Sequence, residues 1–367
     1  MSKSIGIITM HRVLNYGSVL QAYALQHTIQ ELGNTCELID YYYPNKIKKE
    51  KTNEETILKL YYKYFENKKK KLFDIFYSRH LILSRKSYYD KESLQSLAPV
   101  YDIYITGSDQ VWNVNNLKDD ASFLLSFARD QSKKIAYAAS FSIKDIPEQY
   151  RQMYKKYLLR YNAITVREEN GCQILKSLAN INADVVLDPV FLLSAHEWNI
   201  LANSSKLVLK KEPYILVYAL AYAYNPYPYL TKLIRAIKKR SKMHIVLLNF
   251  SVKQIIGLNN VTNLHDVVSP EDFLMLFRDA AFIITTSFHG AAFALNFSCP
   301  FYVVVDTDLT GDNRIFSLLK LLGAEDRAIK KGQSFPDFSM EMSYANVEKT
   351  IEKYRIKSRQ FLIDNLT

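Results

Sequence analysis

The run AFIITTSFHGAAFALNFSCPFYVVV, from Ala281 to Val305, decides the fold class. Its first apolar piece, Phe282-Ile283-Ile284, is short and β-branched, which suits a parallel strand covered on both faces. Thr286-Ser287-Phe288 then reads as a sharp turn, His289-Gly290 opens a helix, and Phe301 begins a second buried strand. Strand, helix and strand in that order make a βαβ unit. Open α/β sheets hold their ligands at the carboxyl ends of the strands, and here that end carries two hydroxyls, an imidazole and a glycine. The helix behind them aims its first N–H groups and the positive end of its dipole the same way, so the turn suits an anion. The plainer reading is that His289 and Ser287 do no more than finish the helix end. The remainder of the chain weighs against it.

Working outward, the same alternation recurs. Near the N-terminus a strand, Ile5 to Ile8, leads through Asn15-Tyr16-Gly17-Ser18 into a helix whose stripe is Val19, Ala22, Leu25, Ile29 and Leu32. Gly33 ends it, and the strand Cys36 to Asp40 follows. The Asn-Tyr-Gly turn sits where phosphate or carboxylate meets a helix N-terminus, but it lacks the three-glycine dinucleotide fingerprint, so no nicotinamide cofactor is expected. The strand Tyr101 to Ile105 ends in Thr106-Gly107-Ser108-Asp109-Gln110-Val111-Trp112-Asn113. Polar groups beside an indole suit a sugar ring, whose hydroxyls need partners and whose C–H faces stack; the alternative places Trp112 in the core. Ile135 to Ser140 is a further strand, and Ala163 to Val166 another, ending in Arg167-Glu168. The planar fork of Arg167 fits a carboxylate or phosphate, or else pairs with Glu168 or Glu169. Asp188-Pro189 closes the first half.

The second half repeats the plan. Tyr214 to Leu220 and His244 to Leu248 are strands, Leu230 to Ile237 marks a helix, and Ser269-Pro270-Glu271-Asp272 is a capped helix start. After the opening unit, Gly311-Asp312-Asn313-Arg314 caps a helix carrying Ile315, Leu318, Leu319 and Leu322, with Arg314 either reaching over the His289 turn or lying on the surface. The expected organisation is a first Rossmann-like domain over 1–192 with a helical basic insertion over about 45–95, a second over 193–343, and a C-terminal helix over 344–367 packing back across both. Two such α/β domains with polar strand ends predict a cleft between facing sheets, as in a group-transfer enzyme with two substrates.

Composition narrows the class. With 48% apolar and 23% charged residues the 367-residue chain is globular, and no apolar run approaches the length of a membrane span. The N-terminus reads directly into a strand without a signal peptide, so a cytoplasmic protein is expected. Cys36, Cys172 and Cys299 are isolated, which argues against both a disulfide framework and a zinc site, and no metal cluster is visible. The net charge of +11 is concentrated: residues 46–71 hold ten lysines against four glutamates. With Ile57, Leu58, Leu60, Tyr61, Tyr64 and Phe65 interleaved, that segment reads either as a solvated helical insertion or as a peripheral contact with an anionic membrane surface. Nucleic acid is not expected, because no binding motif accompanies the charge.

Taken together these residues resemble the polysaccharide pyruvyl transferase family. The resemblance runs through Asn15-Tyr16-Gly17 with Gln21 to Leu25, Thr106 to Asn113, Val166-Arg167-Glu168, Leu187-Asp188-Pro189 and, above all, Thr286-Ser287-Phe288-His289-Gly290, spanning roughly 5–325. It implies a glycosyltransferase-B-like fold and transfer of a pyruvyl group from phosphoenolpyruvate, as a ketal, to hydroxyls of a sugar in a cell-surface polysaccharide (exopolysaccharide or capsule) or its lipid-linked precursor. Phosphoenolpyruvate is then a substrate, and no cofactor is expected. His289 is the expected proton donor, because imidazole titrates near neutrality. Asp109 is expected to accept a proton from, or hold, the acceptor. Arg167, Ser287, Gly290, Arg314, Asn15 and Gly17 are expected on the donor; Ser108, Gln110, Trp112 and Tyr16 on the acceptor. A sugar-nucleotide glycosyltransferase and a non-catalytic glycan-binding or assembly protein are the competing expectations.

Overall fold

The computed structural model describes residues 2–43, 56–221, 224–248, 259–265, 267–306, 314–336 and 341–366. They divide into two compact units. The first holds residues 1–53, 76–193 and 352–367, and the second holds 54–75 and 194–351. Each is built on one wholly parallel sheet.

In the first unit the strands are β1 (Ser4–Ile8), β2 (Thr35–Tyr41), β3 (Leu83–Tyr88), β4 (Ile103–Thr106), β5 (Lys133–Ala139), β6 (Ala163–Val166) and β7 (Asp184–Val185). Their order across the sheet is β3-β2-β1-β4-β5-β6-β7. In the second, β8 (Tyr214–Tyr218), β9 (His244–Leu248), β10 (Val261–Asn263), β11 (Phe282–Thr285), β12 (Phe301–Val305) and β13 (Ala328–Lys330) run in the order β10-β9-β8-β11-β12-β13. Both orders reverse direction once, between β1 and β4 and between β8 and β11. Such a switch point opens a crevice at the carboxyl ends of the two strands that flank it.

The sequence forms these strands for a plain reason. β4, β8, β11 and β12 are buried at every position, so their apolar runs have a face to fill on both sides of the sheet. The helices cover those faces with apolar stripes. Helix Tyr229–Ser241, for example, buries Leu230, Leu233, Ile234 and Ile237 at three- and four-residue spacing against the core of the second unit. Helix Pro270–Arg278 starts on a capping box between Ser269 and Asp272 with proline at its first position.

One expectation needs adjusting. The excursion over about 45–95 is only in part helical: helix Thr56–His80 is followed by β3, which joins the sheet as an edge strand paired with β2. Residues 44–55 lie outside the described ones. β3 went unread because it has no apolar run. As an edge strand it buries only Ser84 and Tyr88 fully and exposes Arg85, Lys86 and Ser87. The last helix, Ala345–Leu366, contributes its residues up to Ile351 to the second unit and those from Glu352 on to the first.

The three cysteines are free. Burial raises the Cys172 thiol to about 11 and the Cys299 thiol to about 12, well above the range in which a thiolate forms at neutral pH. Among the described residues no helix is long and apolar enough to cross a membrane, and no group of three or more His, Cys, Asp or Glu side chains is placed to hold a metal ion.

Candidate active site

In the second unit the Ser-Phe-His-Gly turn falls at the carboxyl end of β11, on the switch point. Thr286 bridges that point: its hydroxyl donates to the Leu220 carbonyl at 2.8 Å and accepts the Leu220 N–H at 2.7 Å, tying the chain beyond β8 to the chain beyond β11. Thr285 Oγ1 donates to the Tyr218 carbonyl at 2.7 Å and accepts the Ser287 N–H at 3.0 Å. Ser287 then caps helix Phe288–Asn296, its hydroxyl accepting the Gly290 N–H at 3.3 Å. His289 stands in the first helical turn, 6% exposed, with the Phe288 ring edge-on at 5.2 Å. Gly290 has a packing role: a Cβ there would lie 2.2 Å from Thr285 Oγ1, so only glycine lets the helix approach the strand this closely. Arg314 is 5% exposed at the first position of helix Arg314–Leu322. The Gly311-Asp312-Asn313 turn assigned to cap that helix lies outside the described residues.

In the first unit the corresponding switch point is also bridged by a threonine. Thr9, just past β1, donates to the Ser108 carbonyl past β4 at 2.8 Å, and Gln21 Nε2 donates to Thr9 Oγ1 at 2.9 Å. Gly107 allows the approach, since its Cβ would sit 3.0 Å from that of Thr9. Asn15 caps helix Tyr16–Glu31, accepting the N–H groups of Gly17 at 2.9 Å and Ser18 at 3.3 Å.

Around this bridge the four sequence motifs of the first half meet in one network. Arg167 Nη1 donates to Asp188 Oδ2 at 2.6 Å, and Ser108 Oγ donates to the same oxygen at 3.0 Å. The other oxygen of Asp188 accepts the Val190 N–H at 3.1 Å. Arg167 Nη2 lies 3.9 Å from Asp109 Oδ1, and the Ser18 hydroxyl donates to Asp109 Oδ2. Asp109 itself is held at φ +78°, a region that L side chains rarely occupy, by its bridge to β5, where the Ser140 N–H donates to the Asp109 carbonyl at 3.1 Å. The Arg167 side chain is 2% exposed and that of Asp188 is 0%. A buried guanidinium with two carboxylates is stable only while all three stay together.

The carboxylate that Arg167 grips is thus that of Asp188. Glu168 points elsewhere and clamps the end of β5, accepting from Ser140 Oγ and Phe141 N at 3.0 Å each and from Ser142 N at 3.4 Å. Asp188 and Ser18 are residues that sequence reasoning passed over. The first entered as the close of the first half, the second only as part of the stretch that leads into the helix.

The group assigned to the acceptor divides. Trp112 is 0% exposed; its Nε1 donates to the Phe123 carbonyl at 3.1 Å and its ring packs on Phe141 and Tyr161. It is a core residue and has no face for a sugar. Tyr16 and Ser108 are likewise 0% exposed. Gln110 is half-buried and accepts from Asn113 Nδ2 at 2.8 Å. Gln110 is the member of that group with surface to offer.

A second cluster lies at the same sheet edge. Asp40, past the middle of β2, accepts from both Arg12 Nε and Nη2, from Ser87, and faces His11 Nε2 at 3.3 Å. Arg12 is held between the rings of Tyr42 and Tyr77, 4.6 and 4.8 Å away. Burial alone would raise the Asp40 carboxyl, but the hydrogen bonds from His11, Arg12 and Ser87 and the charge of Arg12 overcome it and hold the group well below the usual carboxylate range.

Comparison with known proteins adds the following. The family described as polysaccharide pyruvyl transferase matches residues 15–308. No curated protein matches the sequence. Among solved structures, a UDP-N-acetylglucosamine 2-epimerase from Listeria monocytogenes, itself described as putative, is 10% identical with a TM-score of 0.52, covering 100% of this chain and 91% of that one. UGT89C1 from Arabidopsis thaliana, complexed with UDP-L-rhamnose, is also 10% identical with a TM-score of 0.52, covering 100% of this chain and 99% of that one. The S. aureus MnaA–UDP structure gives 10%, 0.52, 100% and 91%. At such identities the likeness concerns the fold, which is of the glycosyltransferase-B and epimerase type.

Proposed function

Because the chain belongs to the polysaccharide pyruvyl transferase family, we propose that it moves a pyruvyl group from phosphoenolpyruvate to two hydroxyls of one sugar, in a cell-surface polysaccharide or its lipid-linked precursor. The observation that carries this reading is the family match over residues 15–308, which includes every motif that carried the resemblance.

The chemistry assigns roles to particular groups. C3 of the donor takes a proton, C2 gains cationic character, and a sugar oxygen bonds to C2. The C2–O bond to phosphate then breaks and the second sugar oxygen takes its place. Of the two hydroxyl protons, one restores the acid and the other leaves with phosphate or passes to a carboxylate. His289 is the acid, since its ring stands at a strand end beside a helix N-terminus that favours anions. Asp109, at its strained position, is the carboxylate. Each unit offers a buried cation to an anionic substrate, Arg314 in the second and Arg167 in the first. Ser287 and Asn15 fix the two helix starts.

Two of the fold neighbours are described with UDP or a UDP-sugar, so a sugar nucleotide is the second reading. Thermal unfolding separates the two without an acceptor. A ligand that binds only the folded state stabilises by about 2.7 kcal/mol at a hundred times its Kd. A rise of the midpoint with phosphoenolpyruvate, and none with a panel of UDP-sugars, is the expected result. The reverse pattern would replace pyruvyl transfer by glycosyl transfer.

A further inference from the structure

The two faces of helix Thr56–His80 differ. The inner face buries Phe73, Phe76 and Tyr77, sets the Lys69 ammonium 5.4 Å from the Phe73 ring, and stacks Phe65 on His265 at 5.1 Å. The outer face carries a single row, Tyr64, Lys68, Lys71, Ile75 and Arg79, at spacings of four, three, four and four, so the row runs straight along the helix. Tyr64 is 61% exposed and Ile75 44%. Lys63 and Lys70 are also exposed, against Glu66 and Asp74.

We propose that this face docks on the surface of an anionic lipid bilayer, with the helix lying along the membrane. Three features favour lipid. The cations are concentrated, and each one held near an anionic surface strengthens binding about fivefold. An exposed tyrosine and isoleucine share their row, and such side chains enter the boundary between headgroups and acyl chains while lysine stems carry their charges outward. A nucleic acid would use the lysines but gains little from Ile75. The helix is too polar to cross the bilayer, so docking takes the form of lying on its surface. With so few apolar residues the contact is mainly electrostatic, hence reversible and sensitive to salt. This inference does not depend on the pyruvyl chemistry proposed above.

The test is sedimentation of the whole protein with vesicles of phosphatidylcholine alone and with about one third phosphatidylglycerol. Binding to the anionic vesicles is expected to be at least about tenfold tighter and to fall several-fold between about 50 and 200 mM salt. Lys68→Glu with Lys71→Glu should weaken it at least about tenfold, whereas the same charge change at the exposed Lys239 and Lys353 should weaken it about twofold or less. Tyr64→Ser with Ile75→Ser should weaken it several-fold and leave the salt dependence intact. Unfolding midpoints equal to that of the parent confirm that these variants are folded. Equal losses at the control positions, equal binding to neutral vesicles, or tighter retention of a single-stranded oligonucleotide than of anionic vesicles would each overturn the proposal.

Discussion

Both units bridge their switch point with a threonine hydroxyl, Thr9 in the first and Thr286 in the second, yet what stands around the bridge is different. In the first unit the surroundings are charged: Asp109, Arg167 and Asp188 bind one another in the interior, with Ser18 and Ser108 completing the set. In the second the hydrogen bonds that hold the turn run among backbone groups and three hydroxyls, beside the contact between Gly290 and Thr285. The difference teaches where stability and chemistry are coupled. Charges that carry the fold of a strand end cannot be altered without disturbing it, whereas His289 is mounted on a frame of other residues.

Removing Arg167 is the harshest way to break this comparison. In Arg167→Ala the Asp188 carboxylate stays buried without its cation, and about 3–5 kcal/mol of stability should be lost, read from the urea midpoint. An unchanged midpoint would mean that the pair does not hold the first unit. His289→Gln asks the opposite question: phosphate release should fall about 10²-fold, or about 2.7 kcal/mol of barrier, while the midpoint moves little. A variant that unfolds instead would put His289 in the frame.

Gly290→Ala should cost about 1–3 kcal/mol, since the new methyl meets Thr285 Oγ1. Combined with Thr285→Ala, which leaves Thr285's own Cβ position as the nearest atom at 3.0 Å, the pair should cost less than the sum of the two single changes. Simple additivity would dismiss the contact. Trp112→Phe should cost about 1 kcal/mol, because Thr106 Oγ1 still donates to the Phe123 carbonyl at 3.0 Å, and should leave the acceptor KM alone. A raised KM at unchanged stability would return the indole to the acceptor.

Acid is the gentlest probe. The Asp40 carboxyl is held low in the folded protein, so its contribution is complete above the unfolded value near 4 and is lost as pH falls below it. Stability should therefore decline from about pH 4 downward, and less steeply in Asp40→Asn. Equal slopes would show that other carboxyls govern the acid limb.

Much of the fold was legible because parallel strands buried on both faces announce themselves as short apolar runs; β4, β6, β9 and β11 fall where those runs do. β3 did not, since an edge strand needs no such run. The turn at Ser287 was legible too, as a cap followed by glycine. The network was not. Arg167 and Asp188 are 21 residues apart and Ser18 and Asp109 are 91 apart, brought together only by strand order. Proximity in sequence offered Glu168 or Glu169 only as an alternative partner for Arg167, and successive side chains of an extended chain face opposite ways, which takes Glu168 to Ser140 to Ser142.

The last helix sets a schedule for making the protein. Its residues from Glu352 on belong to the first unit, where Arg355 Nε donates to the Phe191 carbonyl at 2.7 Å and Phe361 lies against Tyr137 at 6.3 Å. A ribosome adding about 5–20 residues each second needs roughly 8–30 s to deliver the stretch between Leu193 and Glu352. For that interval the nascent first unit has emerged without the helix that finishes it, so the order of synthesis and the order of completion run in opposite directions.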